Sequence, residues 1–352
     1  MKIKHIYFFS SYNQNGISSR YRGIYVLDEL YKKYGITSTF LFPSYKLKAV
    51  INFVLAYLKV LLFFQKGQVV IYQKLYTNGI YTNLLKLLVK LRPKDSIYDT
   101  DDADYLRYYD KNIFYFMTKC EKCVVGSNAL KEVAKKYSNN VLMLSSPVIQ
   151  HQEIKMTKNE TLHIGWVGDY GLNNSYTAPY SHKVSLNEIL FPILKELNFK
   201  FKFTILGIKS PVDKLEIESF FSSHNNILLD IPENINWVDE LSIYKRISAF
   251  DIGVSPMVSH EFNDAKSAFK IKQYLSCGIP VLASPVGENL NFVKNGTNGF
   301  ICKNSIEFKE RIVQFNKMTN QEYDQFRENI VPNIGAFSMS MYCDHLVAEI
   351  SK

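Results

Sequence analysis

The sequence predicts an α/β protein built from two doubly wound parallel sheets. Three observations carry this reading. Short apolar runs alternate with helical patterns along the chain; the alternation halts at a polar stretch near the middle and then restarts; and 352 residues suit about two domains. Strands joined through helices argue for parallel sheets covered on both faces, with ligands at the carboxyl edges of the strands. At 47% hydrophobic and 21% charged, the composition is that of a soluble globular chain.

The first half offers strands at residues 5–10 (HIYFFS), 37–42, 69–73, 96–98, 123–126 and 141–144, with helices at 21–33 and 81–91. Residues 49–64 form an apolar segment broken by Asn52 and Lys59, too short and too punctuated to span a membrane. Two readings fit it. It is either a buried helix of the first domain or, with Lys46, Lys48, Lys59 and Lys66 around it, an amphipathic helix lying on anionic headgroups. The turn SSPV at 145–148 and the polar run 151–161 make the expected linker. The second half offers strands at 162–167, 201–207, 226–229, 250–256 and 281–284, and helices at 240–247 and 290–294, followed by the turn NGTNG. No internal repeat or low-complexity segment is visible.

The segment 264–289, DAKSAFKIKQYLSCGIPVLASPVGEN, carries the most chemistry. Ser267 is a suitable N-cap, Ala268, Ile271 and Leu275 share one apolar face, and Gly278 and Pro280 end the helix. Lys266 and Lys270 fall within about a turn of the helix start. The unpaired N–H groups and partial positive charge of a helix N-terminus then make a seat for a diphosphate. The alternative is a solvated lysine stripe on an ordinary helix. The loop Gly168-Asp169-Tyr170-Gly171 follows a strand and is either a close approach to a phosphate or sugar, or a simple turn. In the first half, Gly16, Ser18, Ser19, Arg20 and Arg22 lie between a strand and a helix, where they either line a ligand site or cap the helix. Asp99, Asp101, Asp102 and Asp104 cluster after a strand.

Net charge is +9, which suits an acidic partner such as anionic lipid or a phosphorylated substrate. The aromatic residues show no interleaved basic motif, which argues against nucleic acid. Cys120 and Cys123 form a lone CxxC with no second pair or nearby histidine, so no zinc site is expected, and the five cysteines read as reduced thiols of a cytoplasmic protein. The amino-terminal residues lack the cleavage pattern of a signal peptide.

The phrase KIKQYLSCGIPVLASPVG resembles the nucleotide-binding segment of retaining glycosyltransferases of the GT-B fold, family 4 (glycosyl transferases group 1). The phrases GISSRYRG, VVIYQK, IYDTDDADY, IGWVGDYG, INWVDE and FDIGVSPM match in the expected order. The resemblance implies two Rossmann-like domains facing a central cleft: 1–155 for the acceptor, 156–335 for the nucleotide sugar, and a helix at 336–352 crossing back to the first. It implies a metal-independent hexosyltransferase with no cofactor. Such an enzyme moves sugar from a nucleotide-diphosphate donor to a glycan or lipid-linked acceptor, in bacterial-type surface polysaccharide assembly at the cytoplasmic face of a membrane.

Carried over by position, the implied donor-binding residues are Gly168, Asp169, Lys183, Asp264, Lys266, Ser267, Lys270 and Gln273, with His182 the alternative to Lys183. The implied acceptor-binding residues are Gly16, Ser18, Ser19, Arg20 and Arg22. Lys270, Asp101 and Asp102 are the candidate catalytic residues, and no metal ligand is assigned. The family's paired glutamates fall on Ala265 and Gln273, so both carboxylates are missing; Asp264 or Glu261 is the candidate replacement. That departure keeps open the reading of a noncatalytic binding protein, and the shared architecture keeps open a nucleotide-sugar 2-epimerase of the same fold.

Overall fold

The computed structural model describes residues 2–108, 110–150, 154, 157–171 and 178–351. By internal contacts the chain forms two units: Met1–Pro147 with Ala265–Ser267 and Phe337–Lys352, and Val148–Asp264 with Ala268–Ala336. The boundary expected between 155 and 156 lies outside the described residues, as does part of the expected linker.

In the first unit the strands are β1 (His5–Ser10), β2 (Thr37–Leu41), β3 (Gln68–Gln73), β4 (Ser96–Thr100), β5 (Lys122–Val125) and β6 (Val141–Met143). They pair in parallel in the order β2-β1-β3-β4-β5-β6. Strand order reverses between β1 and β3, whose ends meet at the pair Ser10 and Gln73. Such a reversal opens a crevice at the carboxyl edge. The helix expected to begin at Tyr21 starts four residues earlier. A turn at Ile17–Ser19 runs into a π-helical turn, Arg20–Ile24, and then the helix Tyr25–Tyr34, which ends on Gly35. Serine caps do not form there, because Ser18 Oγ donates to Asp101 and Ser19 Oγ to the Tyr12 carbonyl.

The last helix, Met339–Ile350, is capped by Ser338 and belongs to this unit. Its Tyr342, Cys343 and Leu346 join Ile6, Phe8, Val26 and Leu30 in one apolar core. The apolar segment near residue 50 is the helix Leu47–Leu62, which buries only Ala56 and Val60. It is therefore not the buried helix that its composition also allowed. Among the described residues, no helix is long and apolar enough to cross a membrane.

The second unit holds β7 (Leu162–Val167), β8 (Phe201–Leu206), β9 (Ile227–Asp230), β10 (Ile252–Ser255), β11 (Val281–Ala283) and β12 (Gly299–Ile301). All pair in parallel, in the order β12-β11-β10-β7-β8-β9. Strand β12 is absent from the sequence reading because three residues after a glycine turn carry almost no periodic signal. Here the order reverses between β7 and β10. Two glycines make room there for aromatic rings, one just before β10 and one on the helix Phe269–Ser276. A Cβ on Gly165 would lie 2.0 Å from the Phe250 ring, and one on Gly253 would lie 2.3 Å from the Tyr274 ring. Tyr274, on the helix Phe269–Ser276, accepts from Val167 N at 2.9 Å and donates to the Val254 carbonyl at 3.2 Å. One buried phenol thus ties the helix to both strands that flank the reversal.

Candidate functional site

Each unit gathers functional side chains at its own strand-order reversal, and the two groups differ in kind. In the second unit, β7 runs into Gly168, whose N donates to the Leu206 carbonyl. A Cβ at Gly168 would come within 2.6 Å of Lys270 Cε and 2.9 Å of the Trp166 ring. The Lys270 side chain crosses over this glycine, so a methyl there would displace it. Lys270 Nζ lies 2.8 Å from His182 Nε2 and 5.7 Å from the centre of the Trp166 ring. An ammonium has no acceptor, so Lys270 donates and His182 accepts through Nε2. Lys270 is the second residue of the Phe269–Ser276 helix, so the first turn of that helix abuts the β7 loop.

The helix start differs from expectation. Ser267 does not cap it; the helix begins at Phe269 after Ala268, which sits in the left-handed region at φ 53° with no side-chain cap. Ser267 instead belongs to the first unit, where its Oγ is 3.4 Å from Ser146 Oγ and its carbonyl accepts from Ser145 Oγ at 2.9 Å. The Ser267 hydroxyl and carbonyl are thereby engaged by Ser146 and Ser145. Gln273 is buried on the same helix. The helix ends at Gly278, φ 72°, as its sequence predicts.

Of the two basic residues weighed at 182 and 183, the histidine is the one beside Lys270. Lys183 turns the other way, 2.8 Å from Asp213 and 3.0 Å from Glu216, and those carboxylates outweigh burial to raise its pKa. Asp169 closes its own turn by accepting from Gly171 N at 3.2 Å, and lies 3.5 Å from Lys209. Asp264 ends the short helix Glu261–Asp264, half-buried, and its carboxylate has no contact with Lys270 among those described. Residues 172–177 of the loop before His182 lie outside the described residues.

Sequence reasoning missed two buried groups on or near this helix. Lys272 is fully buried, with Nζ 5.0 Å from the Phe292 ring, and Glu288 is buried with Oε2 accepting from Asn291 at 2.7 Å. Buried charge beside an apolar helix face is the opposite of what helical periodicity suggests, so neither stood out.

In the first unit the decisive residue is also one the sequence reading passed over. Lys74 follows β3 with φ 51°, a conformation costing a non-glycine residue roughly 1–3 kcal/mol. Its N donates to the Asp99 carbonyl and its own carbonyl accepts from Ser11 Oγ, which hold the strained backbone in place. The ammonium lies 3.0 Å from Asp101, 2.7 Å from Asp102 and 3.1 Å from Asp104. Burial works against that charge, but the three carboxylates outweigh it and raise the Lys74 pKa. For Asp102, burial pushes the pKa up, yet Lys74 and Lys266 prevail and hold it below the usual carboxylate range. Asp104 goes the other way: burial, with Asp102 and Asp101 nearby, keeps its carboxyl above that range despite Lys74. Asp102 is the most exposed of the three at 29%, and Lys266 approaches it at 3.9 Å.

The expected acceptor residues split. Ser18 reaches this cluster, with Oγ 3.0 Å from both Asp101 oxygens. Gly16 packs against Tyr12, and Ser19 is buried, 2.9 Å from Ser10 Oγ. Both arginines are buried and make hydrogen bonds within the protein. Arg20 binds the Gln14 and Asn15 carbonyls of its own loop. Arg22 is fully buried, pairs with Asp99 at 2.5 Å, donates to the Leu144 carbonyl at 2.8 Å and stacks on Tyr342. Their cationic ends bind the protein because a buried guanidinium needs a partner for each donor. Beside the cluster stands an aromatic group, in which the Tyr76 and Tyr108 rings stack at 4.2 Å and Tyr12 meets Tyr76 edge-on.

Residues 173–317 match the family model for glycosyl transferases of group 1. That span includes His182, Lys183 and the whole Phe269–Ser276 helix. No curated protein matches the chain. Solved structures resemble it over nearly its full length. HepE (Alr3699) of Anabaena, in complex with UDP, is 11% identical, covers 100% of both chains and has a TM-score of 0.67. Sucrose-phosphate synthase of Thermosynechococcus elongatus is 12% identical over 97% of each chain, at 0.66. A glycosyltransferase of Rickettsia africae is 14% identical, over 100% of this chain and 99% of its own, at 0.65. The fold is that of the GT-B glycosyltransferases, with two six-stranded parallel sheets flanked by helices.

Proposed function

We propose that this chain is a retaining, metal-independent glycosyltransferase of family 4. It moves a sugar from a nucleoside-diphosphate donor to a hydroxyl of a glycan or lipid-linked acceptor. The observation that carries the proposal is Lys270 on the first turn of a helix, laid over Gly168 at the strand-order reversal and bonded to His182. A departing nucleoside diphosphate develops negative charge on its phosphate oxygens. Helix N–H groups and a positioned ammonium aimed at that charge stabilise it without needing a strong base. His182 orients Lys270 in the resting protein and supplies a second donor to the phosphates when it is protonated.

The family match supports the donor class, since it spans both residues. UDP binding by the Anabaena HepE structure supports a uridine nucleotide as the first donor to try. The acceptor side rests on the first unit. Asp102 and Ser18 offer hydroxyl-binding oxygens, and the Tyr76–Tyr108 stack offers an apolar ring face of the kind sugars pack against. Metal independence is supported by Lys74, since the oxygens of Asp101, Asp102 and Asp104 converge on an ammonium. We place the reaction in surface polysaccharide assembly on the cytoplasmic face of a membrane. The likeness to the lipopolysaccharide outer core galactosyltransferase WaaB (13% identity, TM-score 0.63) fits that setting.

The test is calorimetric titration with a panel of nucleoside diphosphates and their sugars, followed by an acceptor screen with NMR of the product's anomeric configuration. At least one nucleoside diphosphate should bind, and Lys270→Ala should weaken that binding while the protein stays folded. Failure of every nucleotide to bind removes the proposal; an inverted product removes the retaining assignment alone.

A further inference from the structure

The helix Leu47–Leu62 carries an apolar surface that the fold does not bury. Leu47, Ile51, Val54, Leu58 and Leu62 recur at helical spacing and form one exposed stripe, opposite the buried Ala56 and Val60. Beside it the helix Ile80–Leu91 presents a second stripe, Ile80, Leu84, Leu87 and Leu91, with Leu85, Leu88 and Val89 buried on its other side. The two helices are fixed side by side. Arg92 donates to the Leu61 carbonyl at 2.9 and 3.2 Å, and the Phe53 and Tyr81 rings lie 5.0 Å apart. An exposed apolar patch built on two adjacent rigid helices marks an interaction surface.

Charge says what covers it. From Tyr31 to Lys94 there is no aspartate or glutamate in 64 residues, against eleven lysines and arginines, more than the net +9 of the whole chain. Lys46, Lys48, Lys59, Lys66, Lys90 and Lys94 are all exposed. Lys48, Asn52 and Lys59 form the polar stripe of the first helix, at the spacing that puts them beside the apolar one. Leucine-rich faces bordered by lysine, with no carboxylate among them, match the boundary between anionic headgroups and acyl chains. At 16 residues the helix is about 24 Å long, less than the roughly 30 Å hydrocarbon core, so it lies on a bilayer and does not cross it.

We infer that the paired helices Leu47–Leu62 and Ile80–Leu91 form a docking face for a bilayer containing anionic phospholipid. This deepens the glycosyl-transfer reading by naming a partner surface, and its test needs neither donor nor acceptor. The full chain is floated with vesicles of pure phosphatidylcholine and of phosphatidylcholine with about 30 mol% phosphatidylglycerol, at low and high salt. Binding to the anionic vesicles should exceed binding to the neutral ones by at least about tenfold and weaken with salt. A double variant, Ile51→Asp with Leu58→Asp, should lose at least about tenfold of that binding. It should keep its nucleoside-diphosphate affinity and far-ultraviolet circular dichroism.

Absence of vesicle binding at low salt overturns the inference. So does equal binding to both vesicle types, or a double variant that binds as well as the parent. A solution dimer that the double variant dissociates would assign the face to a second copy and also overturn it. Vesicle binding in a chain that binds no nucleotide would remove the glycosyl-transfer reading and leave the docking face standing.

Discussion

Lys74 in the first unit directly follows β3, and Lys270 in the second sits on the helix Phe269–Ser276 that packs at the β7–β10 reversal, and their surroundings are opposites. Lys74 is sunk among three carboxylates, on a strained backbone held by further hydrogen bonds. Lys270 lies across a glycine against an imidazole nitrogen and an indole face. The first arrangement neutralises a buried charge within the fold. The second sets a cation beside aromatic rings, the feature on which the proposed donor site rests.

Breaking the pairing in the first unit should have the largest effect. Lys74→Met strands three carboxylates and should cost about 3–5 kcal/mol, read as a lower denaturation midpoint at neutral pH. The pH dependence has a definite sign. Without the ammonium, burial holds the Asp104 carboxyl still further above its unfolded value of about 4, so the variant regains stability as pH falls from neutral toward that value. In the parent, Asp104 titrates above the ordinary range and gains over the same interval. Asp102 titrates below it, so its contribution is present above about pH 4 and lost on further acidification. A flat parent profile between neutral pH and strong acid would contradict the cluster as described.

Lys270→Ala should do the reverse. Its midpoint should move little, while turnover falls about 10²–10³-fold, the cost of removing one preorganised charge donor. Gly168→Ala sharpens the contrast, because its methyl would push Lys270 aside without removing it. Turnover should fall by up to about a hundredfold, with donor affinity reduced in parallel. The smallest effect belongs to Ser267→Ala. A helix cap would cost about 1 kcal/mol, whereas one long contact to Ser146 should cost about 0.5 kcal/mol or less in a melting experiment. A full cap-sized loss would restore the expectation that the structure corrects.

Much of the fold was legible because buried parallel strands leave continuous apolar runs, such as IYFF in β1 and VVIY in β3. Helix starts were less so. The Ser18 and Ser19 hydroxyls look like caps in sequence, but their partners, Asp101 and the Tyr12 carbonyl, come from other segments. The three aspartates after β4, Asp101, Asp102 and Asp104, are conspicuous in the sequence, while their counter-ion is hidden. A lysine at a strand end reads as surface, and its proximity follows only from the register that sets Gln73 opposite Asp99. His182 and Lys270 are likewise 88 positions apart, and only the settling of Tyr274 between β7 and β10 brings them together.

The helix Met339–Ile350 has one more consequence, which concerns timing. Its Tyr342, Cys343 and Leu346 complete the core around Phe8 and Val26, so that core is finished by a segment synthesised about 300 residues later. At roughly 5–20 residues per second, the stretch from the end of β6 to that helix takes on the order of ten to forty seconds to synthesise. For that interval the amino-terminal sheet waits with an open flank. A nascent chain arrested before Phe337 is the form of this protein a chaperone would hold.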